Sequence, residues 1–352
     1  MISNYLVIKN MFDLLNIDAY MIVFIDGKLS KKYSNIINLC EQNIIYLKKN
    51  IINKETDKNK KKTYSGLILY LKSNITIKKT IYILHISKQK IYKEINFKIL
   101  VLVEKKLKIQ ILEHYINKSN NKYINNIKME MNISDESKIA FFHLVALNTM
   151  DYLLSNNVVN QSKYSKCEFY NIKIYSYFLY YKLEINLKDE YSKCNVFGLF
   201  YPKDKNLIRN NIIINHIKNF TKSNVNYKGI INATGIFHCY INIKKNIKKI
   251  YGVQKNSNIL LSNNATIKTN PKLKIKSKDV VCTHKTIVGK INEDYIFYLR
   301  TRGITKPLAK SLILLSFINE FLTKLEIKAL KNYLCCTKKF CLQDIYSYKN
   351  VN

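Results

Sequence analysis

The sequence predicts a mainly β protein with a small C-terminal α-helical domain. Three observations carry that expectation. From Tyr20 to about Ile291, short apolar or alternating runs rich in Ile, Val, Tyr and Phe are separated by Asn, Ser, Lys and Gly, the pattern of strands and corners. After Asn292 the apolar spacing changes to steps of three and four, which is helical. The strand-rich part also lacks the dipeptides that close tight hairpins, with Asp26-Gly27 as the exception, so a solenoid of parallel rungs competes with an ordinary β-sandwich.

In chain order, residues 1–20 read as a short amphipathic helix through Leu6, Phe12, Leu14, Leu15 and Ile17. Residues 21–291 form the β body. Its clearest strands are Met21 to Ile25, Gly66 to Leu71, Thr80 to Ile86, Lys98 to Val103, Lys108 to Leu112, Phe169 to Ile174, Phe178 to Leu187 and Gly229 to Ile241. One helical interruption is expected over Glu136 to Leu154, where Ile139, Phe142, Leu147 and Leu153 fall near helical spacing, although Ala146 and the apolar crowding suit a strand nearly as well. Asparagine is expected at the corners, because it tolerates left-handed backbone and bonds locally.

Residues 292–337 form the helical domain. Asn292 caps a first helix opening on Glu293-Asp294, and Arg302-Gly303 closes it, with acids and glycine where helix ends favour them. Thr305 opens a second helix with an apolar face of Leu308, Leu312, Leu315, Ile318 and Leu322, and a third passes Leu325 and Leu330 to Leu334. Residues 338–352 read as a frayed tail.

The formal charge is +35, from 59 basic and 24 acidic residues. Only Arg209, Arg300 and Arg302 are arginines, so 59 minus 3 leaves 56 lysines. Nucleic-acid surfaces lean on arginine for bidentate contacts, and Lys, Asn, Ile and Tyr are inflated together here, as codon drift would produce. A lysine-rich nucleic-acid-binding protein is therefore the alternative from a different class, and steep salt dependence of DNA binding would identify it. Acidic residues are too dispersed for a β-helical glycosidase.

Eight scattered cysteines without a CxxC suit reduced thiols. No secretory leader is expected from the opening residues, and no apolar run reaches bilayer length. The expectation is a cytoplasmic protein, or one resident in the stroma-like compartment of an organelle if organelle-encoded. No GxxxxGK[ST] or GxGxxG occurs, so no nucleotide is expected on this chain.

Cys282 and His284 are two apart in an alternating segment, which on a strand places both side chains on one face about 7 Å apart. Thiolate and imidazole suit iron or zinc, but two ligands leave such a site incomplete. A buried cysteine beside a hydrogen-bonded histidine is the other reading. His85, His114, His143, His216 and His238 read as structural, and Cys335, Cys336 and Cys341 sit near the C-terminus without a histidine nearby.

The segment from Ile259 to Phe321 carries Leu260-Leu261-Ser262, Ala265, Pro271 with Leu273, Asp279-Val280, Cys282 with His284, Val288-Gly289, Phe297-Tyr298-Leu299 and Arg302-Gly303-Ile304. It resembles the SufB/SufD family of iron-sulfur cluster assembly proteins. Weaker echoes are Val23 to Gly27, Ser65 to Leu69, Leu199 to Tyr201, His216, Ser223 and Lys228. Cys-x-His at Cys282 and His284, with no cysteine between Cys239 and Cys282, resembles the SufD-like branch rather than the SufB-like one. Lys285 and Cys239 stand where the family has glycines, and much of the family's N-terminal helical domain is expected to be missing.

The resemblance implies a right-handed parallel β-helix that pairs with a SufB-like subunit. It also implies that the helical domain docks a SufC-like ATPase through a segment including Phe297, Tyr298, Leu299, Arg302, Gly303, Leu308 and Leu312. On this reading the chain is a non-catalytic scaffold subunit. Cys282 and His284 lie at the seam where a transient iron-sulfur cluster or iron is held, and a cysteine desulfurase system acts indirectly. Neither nucleic acid nor membrane is a partner. The SufB-like alternative would place cluster ligands on this chain.

Overall fold

In a computed structural model the described residues are 15–35, 50–51, 64–73, 77, 79–88, 93–117, 122–147 and 150–336. The strands are β1 (Ala19–Ile25), β2 (Lys28–Leu29), β3 (Asn50–Ile51), β4 (Tyr64–Leu71), β5 (Thr80–Ser87), β6 (Lys93–Val103), β7 (Lys108–Asn117), β8 (Tyr123–Ile133), β9 (Lys138–Ala146) and β10 (Tyr152–Gln161). They continue as β11 (Lys166–Tyr175), β12 (Phe178–Leu187), β13 (Lys193–Phe200), β14 (Leu207–His216), β15 (Lys222–Ile231), β16 (Thr234–Ile243), β17 (Ile250–Leu260), β18 (Thr266–Ile275) and β19 (Val280–Lys290). The helices are α1 (Glu293–Thr301), α2 (Lys306–Leu322) and α3 (Lys328–Cys336).

From β4 onward successive strands alternate between two parallel sheets, ordered β19-β17-β15-β13-β11-β9-β7-β5-β1-β2 and β18-β16-β14-β12-β10-β8-β6-β4-β3. Each turn thus adds one strand to each sheet, which is a parallel β-helix and not a sandwich. Antiparallel pairing occurs at β1 with β2, across Asp26-Gly27, and at β3 with β4.

Inward side chains of both sheets form one continuous core, including Leu69, Phe97, Ile111, Phe141, Phe169, Leu183, Val196, Ile212 and Phe237. Sheet-wide stacking also lines up identical outward residues. Asn132, Asn160, Asn186, Asn215 and Asn242 occupy one register column. Each amide nitrogen from Asn160 onward donates to the preceding oxygen at 2.8, 3.1, 2.8 and 2.9 Å, the ladder that in-register parallel strands permit.

The asparagine expectation is met at the corner residue Asn246, at φ 60°, but most of the left-handed corner residues described are of other types. Lys106, Glu136, Tyr164, Tyr191, Phe220 and Lys249 adopt φ between 54° and 61°. Backbone bonds between successive corners, such as Lys106 N–H to Asp135 C=O at 3.0 Å, offset the strain. The rings of Tyr164, Tyr191 and Phe220 stack at 4.8 and 4.7 Å.

The helix expected over Glu136 to Leu154 is instead β9 and the start of β10. Ile139, Phe141 and Val145 enter the lumen, while Phe142 and Leu144 face a second core outside the sheet. Burial on both faces erases the alternation that marks a strand. The helix expected over residues 1–20 lies outside the described residues up to residue 14, and Ala19 already belongs to β1.

That second core is made by the C-terminal helices lying back on the ten-stranded sheet. Leu314, Ile318, Phe321, Leu325, Leu330 and Leu334 meet Tyr82, Leu112, Phe142, Tyr170, Ile172 and Leu199. Leu312 and Leu315, assigned to the apolar face from spacing, are half-buried. The packing is pinned by Lys228, whose Nζ donates to the Phe317 carbonyl at 2.6 Å and lies 2.9 Å from Glu320.

Candidate functional site at the open end of the helix

The solenoid ends without a cap among the described residues. β18 and β19 are the edge strands of their sheets, and both faces of this last turn are largely exposed. Ile275, Val281, Ile287 and Val288 are exposed here. By register Ile275 and Val288 face the lumen, as core positions of earlier turns do, while Val281 and Ile287 face outward. The uncovered lumen positions form an open surface with two backbone edges beside it.

Cys282 and His284 lie on β19 and, by the pairing register, sit on its lumen side. Their neighbours on β17 are Gly252 and Gln254. The pairing of side chains expected from their spacing therefore holds. Cys282 is half-buried against the core. Its Sγ occupies the space above Gly252, 3.1 Å from where a β-carbon on that residue would stand. Burial pushes the thiol above its ordinary pKa, and a hydrogen bond with the Gly252 backbone opposes this only in part. The thiol is thus protonated near neutral pH and must lose its proton to bind a metal. His284 is exposed on the rim.

Among the described residues, no three His, Cys, Asp or Glu side chains converge on a metal position. Cys282 and His284 fit an iron or iron-sulfur species chemically but cannot enclose it.

The predicted docking residues lie beyond this rung. Asn292 caps α1 by accepting from the Asp294 N–H at 2.9 Å, and Gly303 ends it at φ +82°. Ile296 is buried, whereas Tyr295, Phe297 and Tyr298 are 63%, 70% and 58% exposed. Arg302 and Gly303 are exposed, Leu299 and Leu312 half-buried, and Leu308 buried in α2. Phe297, Tyr298 and Arg302 can therefore meet a partner directly, while Leu308 supports the helix from within.

Sequence reasoning missed the neighbours of the pair, Gly252 and Gln254, because their adjacency depends on the register between turns. It also missed a polar cluster deep in the lumen. Glu113 is fully buried, 3.3 Å from His85 and 3.9 Å from His143, and accepts a hydrogen bond from Tyr115. Burial pushes the Glu113 carboxyl up, but the bond from His85, the charges nearby and the Tyr115 hydroxyl hold it below the ordinary value. Burial depresses His143 to about 4 despite Glu113. Lys173, also buried, donates to Asn210 at 2.7 Å and lies 3.5 Å from the Tyr181 ring centre.

Residues 85–317, from β5 into α2 and including this end of the solenoid, match the family model described as SUF system FeS cluster assembly, SufBD core domain. The chain belongs to that SufBD family. It is 24% identical over 223 residues to the iron-sulfur cluster assembly protein SufD of Escherichia coli, covering 63% of this chain and 53% of the relative. It is 23% identical over 249 residues to a SufBD family protein of Synechocystis, covering 67% and 54%. A SufB of Plasmodium falciparum is 24% identical over 206 residues, covering 56% and 44%. This SufBD chain spans about half the length of these curated relatives. No helix among its described residues is long and apolar enough to cross a membrane.

Proposed function

We propose that the chain is a SufD-type scaffold subunit. In this reading its open last turn pairs with a SufB-like subunit, its α1-α2 segment docks a SufC-like ATPase, and Cys282 and His284 act at the seam while iron-sulfur clusters are built and passed on. The carrying observation is the placement of Cys282 and His284 together on an uncovered lumen rung bordered by exposed apolar side chains. Two ligands on an open surface become a usable site when a second chain covers it and supplies the rest.

The iron or cluster is cargo here, and this chain's part is to hold, orient and shield it. Sulfur reaches the seam from a cysteine desulfurase system, and nucleotide binds on the ATPase. The Cys-x-His pair favours the SufD-type over the SufB-type role. A reducing compartment, cytoplasmic or stroma-like, suits the free thiols at Cys167, Cys194, Cys239 and Cys282.

Deleting the helices would uncover the second core, so point substitutions separate the two surfaces better. In co-expression with SufB-like and SufC-like chains, Phe297→Asp is expected to lose the ATPase and keep the SufB-like subunit. Val288→Asp is expected to do the reverse. Retention of the SufB-like subunit by Val288→Asp would remove the seam from the open end.

A further inference from the structure

The rung beneath Cys282 and His284 is unusual for a lumen. On β15 the corresponding inward residues are Val225, Tyr227 and Gly229, but on β17 they are Gln254, Asn256 and Asn258. Three amides side by side in a core need partners. Asn258 Nδ2 donates to Asn256 Oδ1 at 2.6 Å, and Asn256 Nδ2 reaches the Tyr227 carbonyl at 3.4 Å. Gln254 is 1% exposed, yet neither its oxygen nor its nitrogen is hydrogen-bonded. Leaving a buried amide unsatisfied is destabilising, whereas an apolar residue of the same shape would be tolerated.

Register narrows the partner. Gln254 is flanked on one side by Val225 and on the other by His284. In-register neighbours on adjacent strands lie about 4.8 Å apart, within reach of a glutamine amide. Val225 offers no polar atom, so His284 is the polar in-register neighbour.

We infer that Gln254 is a positioning residue for His284. The imidazole turns inward from the rim and hydrogen-bonds the Gln254 amide through one ring nitrogen. That bond selects the tautomer and leaves the other nitrogen facing the seam, as outer partners do for ligating histidines elsewhere. The buried amide is then satisfied by the residue it orients. This rests on the reading of His284 as a working residue of the seam. Its test uses the full-length chain alone, without iron or partners, so the two ideas can fail separately.

Ring nitrogen chemical shifts of His284, identified by their loss in His284→Ala, report its tautomer at a single pH. The parent is expected to show one dominant tautomer and Gln254→Leu a mixture, while Gln254→Glu restores a single form by accepting the ring N–H. Melting temperatures add a second readout. Gln254→Leu is expected to raise the midpoint in the His284→Ala background, where the amide has lost its partner, by on the order of 1 °C. In the parent background the midpoint is not expected to rise. An unchanged His284 tautomer in Gln254→Leu, or an equal rise in both backgrounds, would overturn the assignment.

Discussion

The thiol of Cys282 rests on Gly252, with its Sγ 3.1 Å from the position a β-carbon there would take. A glycine at this point lets the thiol fold down against the core, where burial keeps it protonated. Gly252→Ala is expected to turn Cys282 outward by a few tenths of an ångström and relieve part of that burial. Alkylation of Cys282 by iodoacetamide should then run several-fold faster at pH 7, because the thiolate is the reactive form. An unchanged rate would mean that Gly252 does not hold the thiol.

Acid should unfold this chain through its buried histidines. Burial lowers His143 and His216 to about 4 each. His216 is neutral between Thr221 at 2.7 Å and Ser223 at 2.9 Å. With folded values below the ordinary histidine value, the unfolded chain binds more protons between about pH 6.5 and 4. Stability therefore falls as pH drops through that window, by about 2 kcal/mol per histidine at pH 5. Glu113, held below its ordinary value, adds to the loss at lower pH. Urea unfolding at pH 7 and pH 5 checks this, and His216→Gln should flatten the dependence.

Lys228 fastens the helical layer to the solenoid. It is 8% exposed, donates to the Phe317 carbonyl and pairs with Glu320, which also accepts from Asn226 at 3.0 Å. Lys228→Met removes a charged hydrogen bond worth about 1.5–3 kcal/mol. Hydrogen exchange should accelerate in α2 and α3 and stay unchanged in β7 to β13. Uniform acceleration would show that the layers unfold together.

β12 was legible because it buries alternate residues only, whereas the single strand read over Gly229 to Ile241 is the end of β15 and most of β16 with a corner between them. β9 was not legible, since its outward Phe142 and Leu144 lie under the helices and its pattern lost period two. Corners misled for a related reason. Tyr164, Tyr191 and Phe220 accept left-handed backbone because their rings stack between turns, whereas Asn246 takes it as expected and Asn132, Asn160, Asn186, Asn215 and Asn242 form a ladder on a strand face. The site was half legible. Cys282 and His284 declared themselves by spacing within one strand, but Gly252 and Gln254 become neighbours through stacking between turns of unequal length. Glu113, His85 and His143 likewise come from three separate strands, and no local motif links them.

The placement of His284 at a cluster-building seam is tested most directly by assembling His284→Ala with SufB-like and SufC-like subunits and following iron-sulfur absorbance during anaerobic reconstitution. His284 is exposed and contributes little core, so complexes should form in parental yield while cluster formation falls at least tenfold, about 1.4 kcal/mol in the rate-limiting step. Complexes that assemble and acquire clusters at the parental rate would contradict the account and leave the histidine without a role in cluster building.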